Sequence, residues 1–323
     1  MFVTRFAPAP TGFLHLGHVV NALHVWGIAR ALGGRVLLRI EDHDRQRSRR
    51  EYERAILEDL DWLGFVPDDP PTDDFRAGAC RGRQSDRADV YESALARLRG
   101  RDASGDPRGR AQQPLVYGCD CTRRDLREAM DAAGSRAADS ELRYGGRCAA
   151  RGLPVAGRIG IRVRLEPTIE RFVDLRHGLQ EQRPFEQCGD LLVRDRDGNW
   201  TYQFAATVDD MEQGVNLVIR GDDLLASTGR QIQLARLLGR DDPPRFLHHG
   251  LIMKSATQKL SKADRDTSVR DMRAAGNSAD AVIGRALHAA GFVSSPDPLA
   301  RREAESLVAQ RYSEAVGDLA DGR

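Results

Sequence analysis

Hydrophobic and polar positions change period repeatedly along this chain and divide it into short strand-like runs and longer helix-like ones. Residues 3–7 and 36–40 are short apolar runs that predict strands. Between them, residues 17–32 carry apolar side chains at helical spacing and stop at Gly33-Gly34, while Pro8-Ala9-Pro10-Thr11-Gly12 reads as a turn. The result is a βαβ unit whose first loop lies at the carboxyl end of a strand, where open α/β sheets bind ligands. A helix is expected over residues 49–63. The stretch 68–114 is then rich in Pro, Gly, Asp and Arg, interrupted by a helical pattern through Val90, Leu95 and Leu98, with residues 101–113 reading as a loop. Residues 159–165 alternate as a half-buried strand, and strand-like runs return at 191–193, 201–208 and 217–220. A helix over 228–238 and an apolar run at 246–253 follow. Residues 271–323 read as helical, with a thin apolar pattern through Val282, Ile283, Leu287 and Phe292. This alternation predicts an α/β fold with a mostly parallel sheet, without internal repeats.

Composition adds limits rather than a function. The 323 residues carry a formal net charge of +1, which suits a globular chain and says little about nucleic acid, because a neutral total can hide a basic face. The start has no apolar run behind a basic segment, and no stretch approaches the length of a membrane span, so a cytoplasmic location is expected. Five cysteines, an odd number, argue for free thiols or a metal site rather than a disulfide framework. Lysine occurs only at Lys254, Lys259 and Lys262 in a chain that otherwise uses arginine. Ammonium groups confined to one short loop suggest a need for compact point charges there.

Three groups of residues carry candidate chemistry. His15-Leu16-Gly17-His18 opens the first helix, where imidazoles and helix-end N–H donors suit a triphosphate and Gly17 leaves room for a nucleoside against the backbone. Read singly, the same string is an ordinary helix start. Lys259-Leu260-Ser261-Lys262 places two ammonium groups three residues apart, able to bracket a polyphosphate or simply to form a solvated basic turn. Cys119-x-Cys121 with Cys148 supplies three thiols, either metal ligands or buried thiols; Cys80 and Cys188 stand alone.

In this order and separation, the first two groups resemble the nucleotide-binding motifs of class I aminoacyl-tRNA synthetases. Arg5-Phe6-Ala7-Pro8 with Thr11-Gly12, Leu38-Arg39-Ile40-Glu41-Asp42, Tyr202-Gln203-Phe204-Ala205 with Val208-Asp209-Asp210, and Val218-Ile219-Arg220-Gly221-Asp222-Asp223 are similar to the glutamyl-tRNA synthetase family from about Phe2 to Ala263. The chain departs from that pattern at Ala9 and at Ala263, where the family commonly has serine. The resemblance implies a Rossmann-like class I synthetase catalytic domain with a zinc-bearing connective insertion and a short helical C-terminal tail. The expected divisions are residues 1–113 and 191–263 for the two catalytic halves, 114–190 for the insertion and 264–323 for the tail.

The resemblance also assigns roles. His15, Gly17, His18 and Lys262 would bind ATP, with His15, His18, Lys259 and Lys262 stabilising the transition state and Mg2+ accompanying ATP. Arg5, Ala9, Glu41, Tyr202 and Arg220 would bind L-glutamate, the guanidinium forks of Arg5 and Arg220 matching its side-chain carboxylate. Taken alone, Glu41 reads equally as a helix cap and Tyr202 as core. Cys119, Cys121 and Cys148 with Tyr144 resemble the structural Zn2+ site of the glutamyl-Q tRNA(Asp) synthetases. Only about sixty residues follow Lys262, fewer than an anticodon-reading domain needs. The expected activity is therefore tRNA-independent glutamate activation and transfer to queuosine in tRNA(Asp), by a monomer. The other readings are a truncated 3′-charging enzyme and a silent nucleotide- or RNA-binding module. Arg123, Arg124 and Arg230 are expected near the RNA entrance.

Overall fold

The computed structural model describes residues 1–100, 114–132, 142–252 and 268–320. The lysine loop with Lys259, Lys262 and Ala263, and the expected loop 101–113, lie outside them. The first unit is β1 (Val3–Phe6), α1 (Leu16–Ala31) and β2 (Arg35–Leu38), with β1 and β2 parallel in the register Val3↔Arg35 to Phe6↔Leu38. Next come α2 (Arg50–Leu63), α3 (Thr72–Ala77) and α4 (Ala88–Gly100). The left-handed Gly64 ends α2 and turns the chain sharply back toward the sheet.

The middle of the chain holds β3 (Val116–Cys119), α5 (Arg123–Ala132), β4 (Gly160–Val163), β5 (Glu170–Asp174), β6 (Gly178–Gln182), α6 (Pro184–Cys188) and β7 (Leu191–Arg194). Strands β3, β4 and β7 form an antiparallel sheet of their own. The remainder is α7 (Tyr202–Glu212), β8 (Leu217–Gly221), α8 (Thr228–Leu237), β9 (Arg245–His249), α9 (Val269–Ala274), α10 (Ala279–Ala289), α11 (Arg301–Arg311) and α12 (Ser313–Ala320).

Strand β9 runs parallel to both β8 and β5, and β6 closes that sheet as an antiparallel edge. Strand β8 lies beside β1. Asn216, just before β8, accepts from the Val3 N–H at 2.8 Å through its side chain and donates its own N–H to the Val3 carbonyl at 3.1 Å. The carboxyl ends of β1, β2, β8 and β9 therefore open on one side, as expected for a parallel α/β layer.

One sequence expectation fails here: residues 201–208, read as a strand, are the cap (Thr201) and first turns of α7. The aromatic and β-branched composition suggested a strand, but the buried Phe204, Ala205 and Val208 are spaced i, i+1, i+4, which makes one helical stripe. The β5–β6 hairpin went unread in the sequence, because Glu170, Asp174 and Gln182 are polar and nevertheless buried.

The main core joins both ends of the chain. Val25 and Ile28 of α1, Leu38 of β2, Leu60 of α2, Ile219 of β8, Leu287 of α10 and Val308 of α11 belong to one buried cluster. Helix α11 crosses α1 so closely that a Cβ on Gly27 would lie 2.6 Å from the Glu305 carbonyl oxygen. The buried Glu305 pairs with Arg30 of α1 and Arg301 of α11. A second core packs the antiparallel sheet against α4, α7 and α8. Among the described residues, no helix is long and apolar enough to cross a membrane.

Candidate active site

A cavity of about 530 Å³ opens at the carboxyl ends of the parallel strands and brings together residues more than two hundred positions apart. Arg5 and Ala9 come from β1 and its loop, Glu41 from the end of β2, Tyr202 from the start of α7 and Arg220 from β8. His15, Gly17 and His18 line it from the start of α1.

The two histidines are set by the backbone around them. The Gly17 N–H donates to His15 Nδ1 at 3.1 Å, and the His15 N–H donates to His18 Nδ1 at 3.2 Å. Each Nδ1 acts as an acceptor, so each ring carries its proton on Nε2 when neutral. The helix-end N–H groups of His15 and Gly17, expected from the sequence to face a phosphate, are instead taken by the imidazoles. Glycine at position 17 also accommodates the His15 ring: a Cβ there would come within 2.9 Å of His15 Cε1.

The cavity wall is built on an ion network beneath it. Arg5 Nε donates to Asp210 Oδ1 at 3.0 Å, and its Nη1 donates to the Ile219 carbonyl at 3.2 Å. The fully buried Arg39 reaches Asp210 at 2.8 Å, Gln213 at 2.9 Å and Glu41 at 3.2 Å. Burial alone would raise the Asp210 carboxyl, but Arg5 and Arg39 hold it below the usual carboxylate range. Its neighbour Asp209 accepts from Gln84 and Arg87 at 2.8 Å and from the Tyr91 hydroxyl at 3.0 Å. The motif Val208-Asp209-Asp210 is thus the hub that fixes Arg5 and Arg39. Sequence reasoning noted that motif without giving it a task.

Arg220 is held differently. Its Nε donates to His248 Nε2 at 3.0 Å, Nη1 to Gln231 at 2.7 Å and Nη2 to the Thr228 hydroxyl at 2.9 Å. His248 Nδ1 lies 2.7 Å from Asp174 Oδ2, so the imidazole is a neutral bridge that donates to the carboxylate and accepts from the guanidinium. Burial pushes His248 down, which keeps it in that form. Among the described residues Arg220 forms no ion pair with a carboxylate, although it is only 4% exposed. Burial and the nearby Arg5 push its pKa down. The Tyr202 hydroxyl faces Arg220, and burial together with Glu41 raises it, so it remains a neutral donor. Asp174, His248, Gln231 and Thr228 were missed in the sequence. The doubled histidine after an apolar run, His248-His249, was the signal available.

Away from this cavity, the thiols of Cys119, Cys121 and Cys148 lie within 4.8 Å of one another, with Cys121 and Cys148 3.5 Å apart. Four-coordinate zinc with Zn–S bonds of about 2.3 Å separates its sulfurs by about 3.8 Å, so the cluster has the right scale. The Tyr144 hydroxyl accepts from the Cys148 N–H at 2.7 Å, which brings it to the same place. Burial raises Cys119, but Arg162, donating to its sulfur at 3.2 Å, prevails and holds that thiol below its ordinary value. Burial, the bond to Cys148 and the neighbouring thiols push Cys121 up to about 12. Cys188 and Cys80 lie apart from the cluster, as expected.

Of the arginines expected at an RNA entrance, Arg123 and Arg124 lie exposed on α5, and Arg124 pairs with Glu128 at 2.7 Å. Arg230 is 2% exposed within α8, on its buried face, so it does not face an incoming RNA.

A parallel α/β layer carrying a histidine-flanked helix start and a polar cavity at its strand ends defines a class I synthetase catalytic domain. Residues 1–292 match the family model described as tRNA synthetases class I (E and Q), catalytic domain, and the chain belongs to that family. It is 37% identical over 290 residues to the glutamyl-Q tRNA(Asp) synthetase of Rhodobacter capsulatus, a match covering 85% of this chain and 96% of that protein. It is 38% identical to glutamate–tRNA ligase 2 of Acidithiobacillus ferrooxidans over 90% of this chain and 60% of the ligase. The crystal structure of the glutamate–tRNA synthetase from Elizabethkingia anophelis superposes with a TM-score of 0.72 at 27% identity, over 95% of this chain and 66% of that one.

Proposed function

We propose that this chain activates glutamate with ATP, without needing tRNA, and transfers it to queuosine in the anticodon of tRNA(Asp). The observation that carries the first half is Arg220, a buried guanidinium on the cavity wall whose hydrogen-bond partners among the described residues are neutral. A buried cation without a counter-charge is costly, and a carboxylate docking against it relieves that cost. Arg5 and Tyr202 share the pocket, and Glu41 accepts the ligand's ammonium, which fits an amino acid bearing a second carboxylate.

The α-carboxylate of bound glutamate attacks the α-phosphorus of ATP, the bond to the leaving oxygen breaks, and pyrophosphate departs. No general base is needed, because a carboxyl of pKa about 4 is already ionised. His15 and His18 donate from Nε2 to phosphate oxygens, and Lys259 and Lys262 add positive charge. Mg2+ carried by ATP supplies further charge neutralisation. The Cys119, Cys121 and Cys148 thiols with Tyr144 would hold a structural Zn2+; the convergence of the three sulfurs within 4.8 Å of one another supports that reading.

Support for the second half comes from relatives named glutamyl-Q tRNA(Asp) synthetase, matched over most of both chains. The competing reading, 3′-end charging, draws on the glutamate–tRNA ligase relatives. Labelled glutamate separates the two. Transfer to queuosine-containing tRNA(Asp) that survives periodate oxidation of the 3′ ribose is the expected result, whereas periodate-sensitive transfer to tRNA(Glu) overturns it. Glutamate-dependent ATP–pyrophosphate exchange without tRNA is expected too; exchange that appears only after tRNA is added counts against this reading, and none under either condition supports a silent module.

A further inference from the structure

A second cleft, about 870 Å³, shares a wall with the substrate cavity. Ala9, Glu41 and Arg47 line the cavity, while their immediate neighbours Pro10, Asp42 and Ser48 line the cleft. The carboxylates of the cleft are already engaged. Glu53 and Asp86 are held by Arg83, the latter at 2.8 Å, and Asp42 accepts from the Ser85 N–H at 2.7 Å. Four exposed guanidiniums of the same cleft, Arg45, Arg49, Arg50 and Arg54, form no ion pair among the described residues, and of these Arg49 is tied to the Gln46 and Ser48 carbonyls. A molecule with a net charge of +1 thus concentrates unneutralised positive charge directly beside the opening of its reaction cavity. Counterions released from a polyanion offset the rotamer entropy that long exposed arginines lose on binding it, and successive phosphates of one strand can engage Arg45, Arg50 and Arg54.

We propose that this cleft holds the RNA backbone next to the nucleoside that receives glutamate, with Arg45, Arg50 and Arg54 as its phosphate contacts. The inference rests on the acceptor being a tRNA, as proposed above. It moves the RNA entrance from the helix bearing Arg123 and Arg124 to the start of α2. Contacts of this kind position the strand and carry no sequence information, so discrimination of the acceptor nucleoside falls to the cavity itself.

The test is the triple variant Arg45→Gln/Arg50→Gln/Arg54→Gln in the full chain, beside a charge-matched control, Arg99→Gln/Arg285→Gln/Arg302→Gln, on α4, α10 and α11. Affinity for queuosine-containing tRNA(Asp) is measured by fluorescence anisotropy between about 50 and 200 mM salt. In the cleft variant, Kd is expected to rise at least about tenfold at low salt, and the slope of log K against log salt to fall by about 0.7–0.9 per lost guanidinium. The control stays within about twofold of the parent, as does glutamate-dependent pyrophosphate exchange in both. An unchanged salt slope, or an equal loss in the control, overturns the proposal. A parent protein that binds tRNA(Asp) through this cleft but lacks exchange activity overturns the reading of the active site and leaves the cleft assignment standing.

Discussion

In the cavity at the strand ends, charges from distant parts of the chain are paired with one another, whereas in the cysteine cluster three neighbouring thiols crowd one point and become charged only by losing protons. Arg5, Arg39, Asp210 and Glu41 come from β1, the end of β2 and α7, and their mutual bonds fix the cavity floor. Cys119, Cys121, Cys148 and Tyr144 come from one local stretch beside the antiparallel sheet. The cavity network therefore joins parts of the fold that are far apart in sequence, whereas the cluster joins residues of one neighbourhood. Arg220 is the exception inside the cavity. Among the described residues its hydrogen-bond partners are neutral and it forms no ion pair, which is the basis for proposing that it meets a carboxylate ligand.

The largest effect expected is on stability. Asp210→Ala leaves Arg5 and Arg39 buried with one carboxylate fewer and should destabilise the fold by about 3–5 kcal/mol, read by denaturant unfolding. A loss below about 1 kcal/mol would show that the network is not the floor of the site. Arg220→Met sharpens the contrast. It should cost about 2–4 kcal/mol in kcat/KM for glutamate in pyrophosphate exchange, while unfolding stability holds or rises. A drop in stability as large as that of Asp210→Ala would put Arg220 in the structural network instead.

Smaller effects are expected at the other end of the comparison. Cys121→Ser should remove bound zinc and lower the melting temperature by several degrees, while changing exchange activity less than about threefold. Full zinc content in that variant breaks the four-ligand assignment. The smallest effect is on pH dependence. His24, His248 and His249 are all pushed down by burial, so the unfolded chain binds protons that the native one refuses. Between the ordinary histidine value of about 6.5 and the lower folded values, stability should rise with pH and fall on acidification. Near pH 6 the uptake by these imidazoles on unfolding should outweigh the one proton given up by Asp59, whose carboxyl burial raises to about 7, so net uptake is expected, measured by comparing calorimetric unfolding in buffers of different ionisation enthalpy. A flat profile from about pH 7 to 5.5 would show that these imidazoles are not buried neutral.

What could be read in the sequence follows from where the information resides. The βαβ unit was legible because residues 3–40 alternate apolar runs with turn signals, and α2 because its apolar face is regular. The cavity residues Arg5, Glu41, Tyr202 and Arg220 were legible through motif resemblance alone, since nothing local to each of them points to a shared pocket. The Asp174–His248–Arg220 relay and the Arg39 hub were not legible. A buried polar side chain looks like a surface residue until its partner is known, and these partners lie 74 and 171 positions away. Residues 201–208 misled because composition and spacing disagreed there, and packing followed spacing.

The close crossing of α1 by α11 has an engineering consequence. The family model matches residues 1–292, and α11 begins at Arg301, so a version trimmed at that boundary would lose the helix that covers the middle of α1. That helix carries the His15–His18 pair at its start, and its exposed apolar side would become an aggregation surface while its first turn lost its anchor. Grafting the C-terminal helices of a relative onto this chain would fail for the same reason unless the graft accepts a glycine-sized gap at position 27. Trimming or exchange is therefore better attempted on the exposed face of α12, where the chain gives up little of its shared core.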